Sequence, residues 1–121
     1  MVDASAAGKN DSADGVENVG VLPLGSVVRL RDGGDALLLV VSRAALTERD
    51  GHRGYFDYAA VVYPQGLVDS RRVLFFNRED VADVVFVGFV DDVERGFEQR
   101  YDDLVAAGGY ERFSVDVGAR S

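Results

Sequence analysis

Cysteine and tryptophan are absent from this chain, histidine and methionine occur once each, and proline occurs twice. Without cysteine there is no disulfide, thiol nucleophile or thiolate metal site, a composition that suits a reducing compartment. One histidine cannot supply the usual ligand set of a zinc centre, so no metal site and no cofactor are expected. Basic runs are missing too. Arg71-Arg72 is only a pair, and a formal charge of −8 repels phosphate backbones, which argues against nucleic acid as a partner. The longest apolar run, Ala36 to Val41, stops at Ser42 and Arg43, far short of the roughly 20 residues of a membrane span. Membrane insertion is therefore not expected. Met1-Val2-Asp3-Ala4-Ser5 has neither the basic start nor the apolar run of a signal peptide, and the expected location is the cytoplasm.

What is present is enough for one core. The chain has 121 residues, 47% of them hydrophobic, which suits a single globular domain, placed here at residues 21–113. Residues 1–20 are acidic and lack apolar periodicity, so they read as a disordered tail. Residues 114–121 carry little to anchor them and read as a loose C-terminus. Within the domain, residues 25–31 alternate as a strand, with Val28 and Leu30 on one face. Asp32-Gly33-Gly34-Asp35 turns into a second strand at 36–43, apolar enough to be central. Ala44 to Gly54 is polar and aperiodic and reads as a surface loop. Residues 55–63 resume strand chemistry, with Phe56, Tyr58, Ala60 and Val62 on one side, and Pro64 ends them. A fourth strand spans 72–76, Asn77 and Asp80 bracket one helical turn, and a fifth strand spans 84–89. Val93, Phe97, Tyr101, Leu104 and Val105 then recur at helical spacing, from a cap at Asp91 or Asp92 to Gly108-Gly109, for a helix over 91–107. Four strands, a helical turn and a last strand predict an α+β fold: a small five-stranded antiparallel sheet, a partly closed SH3-like barrel, with one C-terminal helix. A flat meander sheet with the helix across one face is the alternative.

The residue types capable of chemistry have simpler readings. His52 lies between glycines in the Ala44–Gly54 segment, where nothing holds a general base in place. Asp91, Asp92 and Glu94 suit the first turn of a helix, where its dipole and free amides favour carboxylates. Gly33-Gly34 lacks the Lys-Ser/Thr and following helix of a phosphate loop, and Ser26, Ser42 and Ser70 lack a nucleophile elbow. The chain is not expected to be an enzyme. Phe75 and Phe76 point to opposite faces of a strand, so one of them, with Tyr63, is a candidate partner contact.

Leu22-Pro23-Leu24-Gly25-Ser26, Phe56-Asp57-Tyr58, Tyr63-Pro64-Gln65-Gly66 and Phe76-Asn77-Arg78-Glu79-Asp80, followed by Gly88, occur in an order and spacing that resemble domain-of-unknown-function family 4176. The chain departs from that family's pattern at Gln65, Arg78 and Phe89, where glutamate, histidine and tyrosine are common. The resemblance implies a small cytoplasmic protein of Gram-positive bacteria, associated with type VII secretion and LXG-type toxins. It implies a non-enzymatic chaperone or targeting adaptor for such a toxin, with no catalytic residue to carry over. The alternative is an immunity protein whose acidic surface steers onto a cognate toxin. Either way the expected partner is a protein; the sequence leaves the oligomeric state open.

Overall fold

The computed structural model describes residues 20–115. The expected tail lies outside the described residues except for Gly20, as does the expected loose C-terminus from residue 116 onward. The elements are β1 (Val27–Leu30), β2 (Leu37–Arg49), β3 (His52–Tyr63), a 3₁₀ turn (Ser70–Arg72), β4 (Leu74–Phe76), a second 3₁₀ turn (Arg78–Asp80), β5 (Val81–Phe86), α1 (Asp92–Gly108) and β6 (Glu111–Arg112). The sheet order is β4-β3-β2-β1-β5, every neighbouring pair antiparallel, and β6 joins β3 in parallel. β2 is central, as its apolar run predicts. The fold is α+β with an antiparallel sheet and one helix. The sheet is open, because no pairing joins β4 to β5 among the described residues.

The expected loop at Ala44–Gly54 is instead a long hairpin. β2 runs on to Arg49, β3 starts at His52, and Asp50-Gly51 turns between them with φ of 52° and 83°. Both central residues take positive φ, the geometry whose twist matches paired strands, and Asp-Gly is its usual sequence. His52 is an exposed strand residue opposite Arg49. The fifth strand begins at Val81 and ends at Phe86, earlier than expected, because Gly88 is taken up by contacts with the Leu22–Ser26 segment.

One face of the sheet carries the core. Val28, Leu38, Val40, Tyr58, Ala60, Phe76 and Val81 are buried there with Val21 and with Tyr101 of α1; Phe97 and Val105 pack against them. Asp91 caps the helix by accepting from the Glu94 N–H at 2.9 Å, and Gly109 closes it at φ 79°. Val93, expected on the docked stripe, is instead exposed. Phe56 also departs from expectation. Tyr58, Ala60 and Val62 join the core, but Phe56 packs on Phe75 and Phe113, ring centroids 5.8 and 5.9 Å away. Phe56 pairs with Ala45, the register step of β2 between Val40 and Ser42 lies opposite Ala59 and Ala60, and Ala44 takes φ 51°. Phe113 of the C-terminal segment covers this second aromatic cluster. Val115 packs against the core and the Ser114 carbonyl accepts from Arg49 at 2.8 Å, so residues 114 and 115 are anchored rather than loose.

Candidate functional site

Asp57 projects from β3 and is fully buried, a position that a carboxylate tolerates only when donors surround it. Its Oδ1 accepts from the Tyr101 hydroxyl at 3.0 Å. Its Oδ2 accepts from the Arg78 backbone N–H at 3.0 Å, from Arg78 Nε at 3.2 Å and from Arg112 Nη2 at 2.6 Å. Arg112 also straddles Glu79 at 2.7 and 3.1 Å, and Arg78 continues to Asp102 at 3.1 Å. Asn77, equally buried, accepts from the Asp57 N–H at 2.8 Å and donates from Nδ2 to the Phe113 carbonyl at 2.7 Å. The Asn77 N–H donates to Asp80 Oδ2 at 2.8 Å, the pairing expected across the helical turn. One cluster thus ties β3, the second 3₁₀ turn, α1 and the C-terminal strand together.

The electrostatics fix Asp57, Tyr101 and Arg112 each in one state. Burial pushes the Asp57 carboxyl up, but the donors from Arg112 and Arg78 outweigh it and hold the group below its ordinary value. Burial, then the neighbouring Asp57 charge, push the Tyr101 hydroxyl far up, so it stays a donor. The Glu79 carboxylate keeps Arg112 charged. None of these three is poised to exchange a proton near neutral pH, which general acid–base work requires.

A second set of motif residues holds the end of β5. Ser26 is fully buried; its hydroxyl donates to the Pro23 carbonyl at 2.8 Å and accepts from the Gly88 N–H at 3.0 Å. The Gly25 N–H donates to the Val40 carbonyl at 2.9 Å, and the Leu22 N–H donates to the Tyr58 hydroxyl at 2.8 Å. Leu22 through Ser26 therefore anchors the chain to β2, β3 and the residues after β5.

Arg43 pairs with both carboxylate oxygens of Glu94, donates to the Leu22 carbonyl at 3.2 Å and lies 4.3 Å over the Phe97 ring. One turn along α1, Glu98 has Oε2 buried without a hydrogen-bond partner. Burial and the adjoining Glu94 carboxyl push Glu98 up to about 8. The folded chain thus keeps a proton on Glu98 that the unfolded chain releases near 4.5. Its stabilising share is complete below 4.5 and is lost as pH rises through about 8. Thermal melts should show the midpoint falling across that window. Glu98→Gln should flatten the fall and stabilise the protein by about 1 kcal/mol above it, a value reduced for solvent screening. An unchanged slope in the variant would refute this assignment.

Among the described residues, two of the places where apolar surface is open lie near α1. A cavity of about 170 Å³ lies between the β2–β3 hairpin and α1, lined by Ala44, Leu46, Tyr55, Phe97, Leu104 and Tyr110 among others. The second surface runs from the end of β5 to the start of α1: Val85, Phe86, Val87, Phe89 and Val93 are exposed, Phe86 at 60% and Phe89 at 79%. The predicted contact residues lie elsewhere. Phe76 is fully buried in the core against Tyr58, which corrects its reading as a contact; Phe75 is half-buried on Phe56, and Tyr63 is 52% exposed. Among the described residues no group of three or more His, Asp or Glu side chains is placed to hold a metal, and no helix is long and apolar enough to cross a membrane.

Asp57, Asn77 and Asp80 meet in one cluster, whereas Ser26 and Gly88 meet in another, and Tyr63, Pro64 and Gly66 belong to neither. Sequence reasoning missed Arg43, Glu98, Asp102 and Arg112. Only Glu98 left a signal, a carboxylate one turn from Glu94 on the same helix face.

A family model described as a domain of unknown function, DUF4176, matches residues 21–97. The match contains every motif residue from Leu22 to Gly88, but it stops before Tyr101, Asp102 and Arg112, which complete the Asp57 cluster. No curated protein and no solved structure matches the chain.

Proposed function

Because the chain belongs to the DUF4176 family, we propose that it is a non-enzymatic, protein-binding accessory factor that acts in the cytoplasm as chaperone or targeting adaptor for a type VII-secreted, LXG-type toxin. The observation that carries the binding role is the exposed apolar strip Val85, Phe86, Val87, Phe89 and Val93. Clustered aromatic and aliphatic side chains in water are the usual mark of a surface that a partner covers. The motif polar groups support the non-enzymatic reading, since Asp57, Asn77 and Ser26 are turned inward and spend their hydrogen bonds on the fold. The element order, with β5 returning to pair β1, supports an SH3-like arrangement left open between β4 and β5.

The test is co-purification of the tagged chain with an LXG-type toxin from a host that expresses both. The wild type should retain the toxin, and Phe89→Asp should bind it at least about tenfold more weakly, about 1.4 kcal/mol, with an unchanged melting temperature. No retention of an expressed toxin, or full retention by a folded Phe89→Asp protein, would overturn the proposal. Growth rescue through the toxic half, with export unaffected, would make the chain an immunity protein instead.

A further inference from the structure

The strip is built in a way that selects its partner, and we infer that it takes an amphipathic helical segment whose apolar stripe is flanked by lysine or arginine. This inference rests on the protein-binding reading above. β5 is an edge strand, paired with β1 on one side and with no strand on the other among the described residues. A regular edge would invite an added strand, but β5 is irregular. Val28 pairs with Val84 and Val27 with Phe86, leaving Val85 as an extra residue; Arg29 pairs with Asp83 and Leu30 with Val81, leaving Ala82 as another. Two such bulges within six residues break the even row of backbone groups that strand addition uses. Recognition therefore falls to the side chains. Val85, Phe86 and Val87 are exposed in succession, and Phe89 and Val93 extend the strip to the start of α1. An apolar helix face can cover such a strip without backbone pairing.

Charge identifies the flanks of the segment. From Glu79 to Glu94 the chain contains no lysine or arginine. The exposed Asp83, Asp91 and Asp92 border the strip. Cations from outside this stretch meet it at several points: Arg29 lies 3.7 Å from Asp83, Arg95 lies 3.1 Å from Asp92, Arg43 pairs with Glu94, Arg112 pairs with Glu79, and Arg31 donates to the Glu79 carbonyl. A second copy of this chain would bring the same carboxylates and another formal charge of −8 to the contact, which disfavours self-association. A segment with basic residues beside its stripe meets the opposite field and is steered onto the strip.

The probes are three synthetic helical peptides sharing one leucine stripe and carrying Lys, Gln or Glu beside it, titrated into the full chain with hydrogen-exchange mapping. The Lys peptide should bind with amide protection concentrated at residues 81–93, and the Glu peptide at least about tenfold more weakly. The Val87→Asp, Phe89→Asp double variant, folded by circular dichroism, should lose that protection. Equal binding of the Lys and Glu peptides, or protection centred on Leu46, Leu104 and Tyr110, would overturn the inference. The parent reading fails separately: an LXG-type toxin bound with its footprint elsewhere refutes this partner chemistry and leaves the accessory role standing. A footprint on the strip from a basic helical segment of a protein unconnected with secretion supports the partner chemistry and refutes the accessory role.

Discussion

Asp57→Asn should lower the free energy of unfolding by about 3 kcal/mol, with the same secondary structure by circular dichroism before denaturation. Removing one partner of a buried ion pair costs about 3–5 kcal/mol because the remaining charges lose their counter-ion. The lower end applies here. The Arg78 and Arg112 side chains keep 21% and 34% of their surface in contact with solvent, so water recovers part of the loss. The amide also turns a pure acceptor into a group whose nitrogen faces donors, since Tyr101, Arg78 and Arg112 all donate to Asp57. Urea denaturation followed by circular dichroism measures the difference. An unchanged midpoint would mean that the attractions in the cluster only balance the cost of burying it.

The same substitution carries a pH signature. The folded Asp57 carboxyl titrates below its ordinary value of 3.8. Its contribution is therefore complete above 3.8 and is lost as pH falls through the folded value. The gap between wild type and Asp57→Asn should narrow in acid and stay constant through neutral pH. Glu79 and Glu94 are also held low, the first chiefly by donors from Arg112 and the second against its burial by Arg43. They keep an acid limb in the variant, so only the difference between the two proteins isolates Asp57.

Where local pattern decided the structure, the sequence was legible. The glycine turn into a central β2, the end of β3 at Pro64, the Asp91 cap and the Gly109 terminus all depend on residues near one another in the chain. The hairpin through Asp50-Gly51 was missed because its arms are largely polar and show no alternation, which left turn chemistry as the one signal. The Asp57 cluster was hidden for a different reason. Its partners Arg78 and Arg112 lie 21 and 55 residues away, and no spacing rule joins a carboxylate to arginines at such distances. Motif resemblance marked Asp57 and Asn77 without disclosing that they are buried. The exposure of Val85, Phe86 and Phe89 was equally invisible, since apolar residues in a strand read as core until the edge of the sheet is known.

Gly88→Ala should be the most damaging single-methyl change in the domain, costing about 3 kcal/mol or more. A Cβ at Gly88 would lie 2.0 Å from the Leu24 carbonyl oxygen, 2.9 Å from its carbon and 3.0 Å from the Gly25 carbonyl carbon. All three neighbours are backbone, so no side chain can swing aside to make room. The chain must separate there, and separation breaks the Gly88 N–H bond to Ser26 Oγ, leaving that hydroxyl with the Pro23 carbonyl alone. Gly108→Ala is the control, because its Cβ meets nothing closer than a Tyr110 ring carbon at 4.0 Å; it should shift stability by less than about 0.5 kcal/mol. The contrast also reaches function. Gly88 sits between Val87 and Phe89, so the packing that tolerates only glycine also sets the direction of the exposed strip. A Gly88→Ala protein that still folds at low temperature should bind its partner more weakly than Ser26→Ala, which loses the hydroxyl but keeps the close approach. Equal stability of Gly88→Ala and Gly108→Ala in denaturation would show that this segment is free to move apart from Leu24.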